Sequence, residues 1–283
     1  MRRCHHEADS TSVRVSLQIV FLPNFTLGYK GYEQARATPQ TATQNEGAVA
    51  IQTVTISFFR FASVAARLWA FTQMGCARFS LAKAPDIGFW KLCGSGVGEG
   101  FTPLPNTGVY AILATWPDET TARQRIEELP VYRRYRKTSS ETWTVYLAPV
   151  SARGEWSGKT PFSPWEPGSD GPLAALTRAS IRARAMPWFW GQEPDISKAI
   201  GANEDVLFKI GIGEAPLVRQ VTFSIWPDAA SMAAFARASG PHAAAIKAVR
   251  EGGWFAEELY ARFRILSDDG AWNGVSPLAE TRT

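Results

Sequence analysis

The sequence predicts an α+β fold: two tandem ferredoxin-like βαββαβ repeats that close into one α/β barrel within a single chain. Three observations predict it. Trp116-Pro117-Asp118 recurs as Trp226-Pro227-Asp228, 110 residues later, each time after an apolar run (109–115 and 221–225). Upstream, Phe89-Trp90-Lys91-Leu92 matches Leu207-Phe208-Lys209-Ile210, and Gly96-Val97-Gly98-Glu99-Gly100 matches Gly211-Ile212-Gly213-Glu214-Ala215. Such ordered matches at near-constant spacing mark a duplication. Finally, the strand-like segments are apolar and rich in Phe and Trp, as suits sheets covered on both faces. A lone ferredoxin-like sheet carries helices on one face only. A second copy supplies the missing cover.

The elements follow in order. Residues 51–61 form a strand of β-branched and aromatic residues, and 63–79 a helix with Val64, Leu68 and Phe71 at i, i+4 and i+7. Strands 88–93 and 108–115 flank a Gly/Pro loop. Asp118 caps a helix running through 129, and 143–149 closes the unit. The second copy reads as a strand at 173–181, an irregular helix near 186–200, strands 206–210 and 219–225, helices from Asp228, and a strand at 259–266. Between the copies, Pro161, Pro164, Pro167 and Pro172 stand among Gly and Ser, the composition of a linker. The expected organisation is a disordered extension at 1–50, a first half at 51–158, a linker at 159–170, a second half at 171–273 and a tail at 274–283.

Composition excludes several classes. The 283 residues are 45% hydrophobic and 20% charged, which is globular, and no apolar run is long and uninterrupted enough to span a membrane. A net charge of +4 and a pI of about 9.0 do not argue for nucleic acid. Cys4, Cys76 and Cys93 form no CxxC pair, which excludes a disulfide framework or structural zinc site and fits a reducing cytoplasm. Met1-Arg2-Arg3 starts like a signal peptide, but Glu7 and Asp9 follow at once and no clean apolar core comes after them. Eleven Trp and 16 Phe suit either a wide apolar pocket or a large core.

Motifs narrow the chemistry. Gly94-Ser95-Gly96-Val97-Gly98-Glu99-Gly100 lacks the G-x-G-x-x-G spacing and the following helix of a dinucleotide site, so it reads as a hairpin loop. The Trp-Pro-Asp pair lacks the Cys-and-Arg phosphate loop of a phosphatase. His5 and His6 lie in the extension, which leaves His242 as the one histidine of the patterned chain. It follows Pro241 at a helix start, where the dipole favours neutral imidazole. The first copy has Val131 at that place. One histidine is too few for a zinc site and enough for an axial haem ligand, with Cys93 and Cys76 as rivals. Arg133-Arg134-Tyr135-Arg136-Lys137 is the densest basic cluster, either a solvated helix end or a docking patch for an acidic protein or an anionic membrane.

Several long strings resemble the spheroidene monooxygenase family of purple phototrophic bacteria: Val54-Thr55-Ile56-Ser57-Phe58-Phe59-Arg60-Phe61, residues 88–100, 172–182, 206–214 and 221–228, Gly240-Pro241-His242, and Gly253-Trp254-Phe255-Ala256-Glu257-Glu258-Leu259-Tyr260. The resemblance spans about 51–272 and leaves the first fifty residues unmatched. It implies a dimeric α/β-barrel haem enzyme that uses O2 and reduced ferredoxin to oxidise C-2 of acyclic carotenoids. Two hydroxylations there give a gem-diol that loses water, turning spheroidene into spheroidenone. The superfamily includes haem proteins with an axial histidine on a helix beside the barrel, a role that position assigns here to His242 as the iron ligand. Arg178 is expected to polarise bound oxygen or pair with a haem propionate, and Lys209 is a second propionate candidate. The expected location is cytoplasmic, with at most peripheral contact with the photosynthetic membrane. A haem or pigment carrier and a cofactor-independent barrel oxygenase are the competing readings.

Overall fold

The computed structural model describes residues 51–98, 104–165, 171–187, 206–215, 218–238 and 253–279. The first half contains β1 (Thr53–Arg60), α1 (Val64–Leu81), β2 (Trp90–Gly96), β3 (Pro105–Trp116), α2 (Glu119–Glu128), α3 (Pro130–Thr138) and β4 (Glu141–Gly154). The second contains β5 (Leu173–Ile181), β6 (Phe208–Ala215), β7 (Arg219–Trp226), α4 (Ala229–Ala238) and β8 (Phe255–Gly270). Eight strands close a barrel in the order β1-β3-β2-β6-β7-β5-β8-β4, with every pairing antiparallel. Each half contributes the same internal order, β4-β1-β3-β2 and β8-β5-β7-β6. This is the intramolecular α/β barrel the duplication predicts.

Closure needs two seams, and they are unequal. β4 and β8 pair from Trp143↔Gly270 to Gly154↔Leu259, whereas β2 and β6 meet at Gly94↔Gly213 and Ser95↔Ile212. The two Gly-rich stretches therefore do not serve only as hairpin loops: Gly94, Ser95, Ile212 and Gly213 are strand residues that join the halves. The long seam ends in two glycines with left-handed backbone, Gly154 (φ 96°) and Gly270 (φ 88°). A Cβ there would stand 2.1 Å from Glu258 O and 2.2 Å from Thr142 O, respectively.

Period-two alternation sorts the side chains into two layers. Val54, Ile56, Phe58, Trp143, Phe208, Phe223, Leu176 and Phe263 point into the barrel and fill it. Phe58 lies 5.5 Å from Trp143 and from Phe208 and 5.9 Å from Trp272, so these aromatics form a core rather than line a pocket. The alternate positions of the first half, including Phe59, Tyr110, Ile112 and Trp116, carry the helices α1, α2 and α3.

Asp118 caps α2, accepting from Thr121 N at 2.7 Å, and Asp228 accepts from Ser231 N at 2.6 Å, so the repeated Trp-Pro-Asp ends a strand and starts a helix twice. Pro130 starts a separate α3, because its missing N–H is harmless in a first turn. The basic cluster thus lies on its own helix. The residues that announce α1 are not those it buries: Ala70, Ala77 and Leu81 face the sheet, while Val64, Leu68 and Phe71 are exposed. Small residues let α1 lie close to β2 and β3, which turns its larger apolar stripe outward. The Pro-rich connection also packs: Phe162 meets Phe263 at 5.1 Å, and Gln52 bonds Pro161 O and Ser163 N.

Gly154→Ala should destabilise the barrel by about 1–3 kcal/mol, since it forces a side chain into left-handed backbone against a carbonyl. Gly75→Ala, on the open face of α1 with nothing within 4 Å of its Cβ, should instead stabilise by about 0.5–1 kcal/mol. Urea unfolding of both variants checks the pair; equal effects would contradict it.

Candidate active site

Arg178 of β5 points into the barrel and is 1% exposed. It pairs there with Glu257 of β8 and approaches Glu214 at 3.9 Å. Glu214 occupies the irregularity between Gly213 and Ala215 and takes Lys91 Nζ of β2 at 2.6 Å and Trp156 Nε1 at 2.6 Å. Glu257 accepts the N–H groups of Ser157 (3.0 Å) and Gly158 (2.7 Å). Two cations and two carboxylates from four strands thus form one network beside the short β2–β6 seam. Arg178 Nε is left without a partner. Burial raises the Glu257 carboxyl, but the Gly158 and Ser157 N–H groups and the Arg178 guanidinium outweigh it and hold the carboxyl below its usual range. Cys93 lies fully buried near this network; burial, reinforced by Glu214, pushes its thiol up against the opposing pull of Lys91 and Arg178. Cys93 belongs to the packed barrel core, on the face of the sheet opposite Lys209. Cys76 is exposed on α1.

Lys209 lies on the other face of the sheet. Phe208, Ile210 and Ile212 point inward, so Lys209, Gly211 and Gly213 point outward. Arg178 and Lys209 therefore do not meet, and no single flat group touches both. His242 lies outside the described residues.

The outer face around Lys209 departs sharply from its counterpart. In the first half one row across the sheet reads Trp90–Ala114–Thr55–Tyr146 and the next Leu92–Ile112–Ser57–Thr144. In the second half these rows become Lys209–Ser224–Ala175–Arg262 and Gly211–Thr222–Thr177–Tyr260. On the row after, Phe59 and Tyr110 give way to Ala179 and Gln220. The bulky floor that carries α1 and α3 is thus replaced by a shallow floor of Gly, Ala, Ser and Thr. Trp226 borders it, with Nε1 donating to Ser224 Oγ at 2.9 Å. Two cations stand at the ends of one row, three strand spacings or roughly 14 Å apart. Burial lowers the Arg262 guanidinium below its ordinary value, and no described carboxylate pairs with it. Arg262 was missed in the sequence, although aligning the fourth strands of the two copies sets it against Tyr146.

The charge network yields a stability prediction. Arg178→Ala should cost about 3–5 kcal/mol, because it strands buried carboxylates. Glu257 has a lowered folded-state pKa, so the stability it contributes is complete above its unfolded value of about 4.3 and is lost as pH falls through the folded one. Glu257→Gln should accordingly flatten the acid limb of a urea-melt pH series; an unchanged limb would contradict the pairing.

The chain matches no established family profile. It is 54% identical over 235 residues to spheroidene monooxygenase of Cereibacter sphaeroides, covering 82% of this chain and 72% of that one. It is 50% identical over 227 residues to spheroidene monooxygenase of Rhodobacter capsulatus, covering 79% and 94%. Among solved structures it resembles an aldoxime dehydratase crystallised with butyraldoxime, at a TM-score of 0.55 and 9% identity over 82% of this chain and 86% of the other, a likeness of fold. Identity of half or more along most of the sequence places the chain in the spheroidene monooxygenase family, and it is an oxygenase enzyme.

Proposed function

We propose that this enzyme is a haem-dependent carotenoid monooxygenase that converts spheroidene to spheroidenone at C-2 with O2 and reduced ferredoxin. The carotenoid part rests on the relatives named for spheroidene. The haem part rests on one observation, the shallow second-half floor between Lys209 and Arg262. Large flat groups need a floor without projecting side chains, and an acidic edge needs cations beside it. Gly211, Thr222, Thr177 and Ala175 leave that room, whereas Leu92, Ile112 and Tyr146 fill it in the first half.

On this reading Lys209 and Arg262 would hold the propionates and His242 would bind the iron. Arg178, on the inward face, keeps the sheet beneath in shape and would act on the bound group only through the strands. Haem supplies the O2 activation that side chains cannot provide for attack on a C–H bond. Each hydroxylation consumes one O2, two electrons and two protons, inserts one oxygen atom and releases the other as water. The second at the same carbon gives a gem-diol, which loses water to the ketone. For the electron donor, the cleft of about 330 Å³ bordered by Arg78, Lys159 and Arg219, with Lys91 inside it held by Glu214, offers an acidic ferredoxin a cationic contact. No helix among the described residues is long and apolar enough to cross a membrane. We take the enzyme to work from the cytoplasm at the surface of the carotenoid-bearing membrane.

His242→Ala should lose the haem absorption band and carotenoid oxidation together while the barrel survives, because Ala costs little at the helix start that the sequence leads one to expect after Pro241. His5→Ala and His6→Ala should change neither. An unchanged band and turnover in His242→Ala would move the ligand elsewhere, and a wild type that never binds haem would overturn the cofactor.

A further inference from the structure

The outward face of α1 is apolar. Val64, Leu68, Phe71 and Phe79 are 73%, 63%, 66% and 75% exposed. At 3.6 residues per turn they fall within an arc of about 80°, opposite the buried Ala70, Ala77 and Leu81. A helix apolar on both faces is covered on both in its working state. One cover is the sheet. The other must come from outside the barrel.

Charge around the stripe says what kind of cover. α3 lies beside α1, with Tyr135 5.2 Å from Trp69 and Arg134 bonded to Ser80 Oγ. Both helices cover the same sheet, so their solvent faces look the same way. On that side Arg133, Arg134 and Lys137 of α3 and Arg67 and Arg78 of α1 are exposed. Arg67 and Arg78 bond only to the Phe61 and Met74 carbonyls of their own segment, and none of the five forms a salt bridge among the described residues. The arginines farther along the same layer are neutralised: Arg123 by Glu119, Arg125 by Asp86 and Glu128, Arg136 by Glu127. Unneutralised cations thus flank both sides of the apolar stripe.

We propose that this face docks on an anionic lipid bilayer, with Val64, Leu68, Phe71 and Phe79 entering the acyl boundary and the five cations meeting lipid phosphates. A second copy of this chain would bring like charge against like charge, so the cations disfavour self-association. The proposal deepens the carotenoid reading, because a lipid-dissolved substrate must be reached at a membrane surface.

The test is co-sedimentation of the full chain with vesicles of phosphatidylcholine, with and without phosphatidylglycerol. The wild type should bind the anionic vesicles and be released by high salt. Phe71→Ser combined with Phe79→Ser, exposed positions that leave the core intact, should lower binding by roughly tenfold or more. Arg133→Gln with Arg134→Gln and Lys137→Gln should abolish the preference for anionic lipid. No binding to anionic vesicles, or binding undiminished in the Phe variant, would overturn the proposal. A concentration-dependent dimer that the Phe variant dissolves would give the stripe to a second copy and also overturn it. Oxidation of carotenoid in detergent micelles separates the two readings. A wild type active in micelles but unable to bind vesicles sinks only the docking surface, whereas one that binds vesicles but oxidises nothing sinks only the carotenoid chemistry.

Discussion

A ferredoxin-like sheet with helices on one side has a naked face and two unpaired edges, and everything in this molecule follows from meeting both needs with a second copy in the same chain. The naked faces become the filled interior, where Phe58, Trp143, Phe208 and Phe223 meet. The edges become seams. The β4–β8 seam is long and carried by backbone pairing, while the β2–β6 seam is short and is backed by Lys91–Glu214, Arg178 and Trp156. Buried charge is a costly way to hold a barrel shut, and it holds only while every partner is present.

Duplication also lets the two copies use their outward faces differently. Both halves need their inward faces for the barrel, and the first uses its outward face to carry α1 and α3 on Phe59, Tyr110, Ile112 and Trp116. The second keeps Trp226 at the matching strand end but substitutes Gly, Ala, Ser and Thr across the middle of its outward face. The symmetry is therefore kept on the inward faces and broken on the outward ones, where the proposed cofactor would lie. An oxygenase acting on a membrane-dissolved hydrocarbon fits such a division, with the filled half offering a basic, apolar-striped surface and the other half a shallow floor.

Much of this was legible in the sequence. The repeated Trp-Pro-Asp exposed the duplication because a strand end and a capped helix start need the same residues each time they are built. Strand identities followed from β-branched and aromatic runs. What escaped was whatever depends on distant partners. Lys91, Glu214 and Glu257 look like solvent-facing charges, and Arg178 like a cofactor contact, until closure brings β2, β5, β6 and β8 together in one network. The Gly-rich stretches look like loops because glycine marks loops more often than seams. Val64, Leu68 and Phe71 signalled a helix correctly, but periodicity cannot tell which of two apolar faces meets the sheet, and the smaller one does. Aligning the fourth strands would have set Arg262 against Tyr146.

The central claim, that the second half's outward face is shallow in order to take a flat cofactor, can be tested by restoring what the first half has there. Ala179→Phe, Gly211→Leu and Thr222→Ile, combined in one chain, import the residues of Phe59, Leu92 and Ile112, which the sister sheet already accommodates. Haem titration followed by absorption, with circular dichroism confirming that the barrel persists, is the direct measurement. The account predicts a folded protein that no longer takes up haem; a variant that binds haem as the wild type does would contradict it.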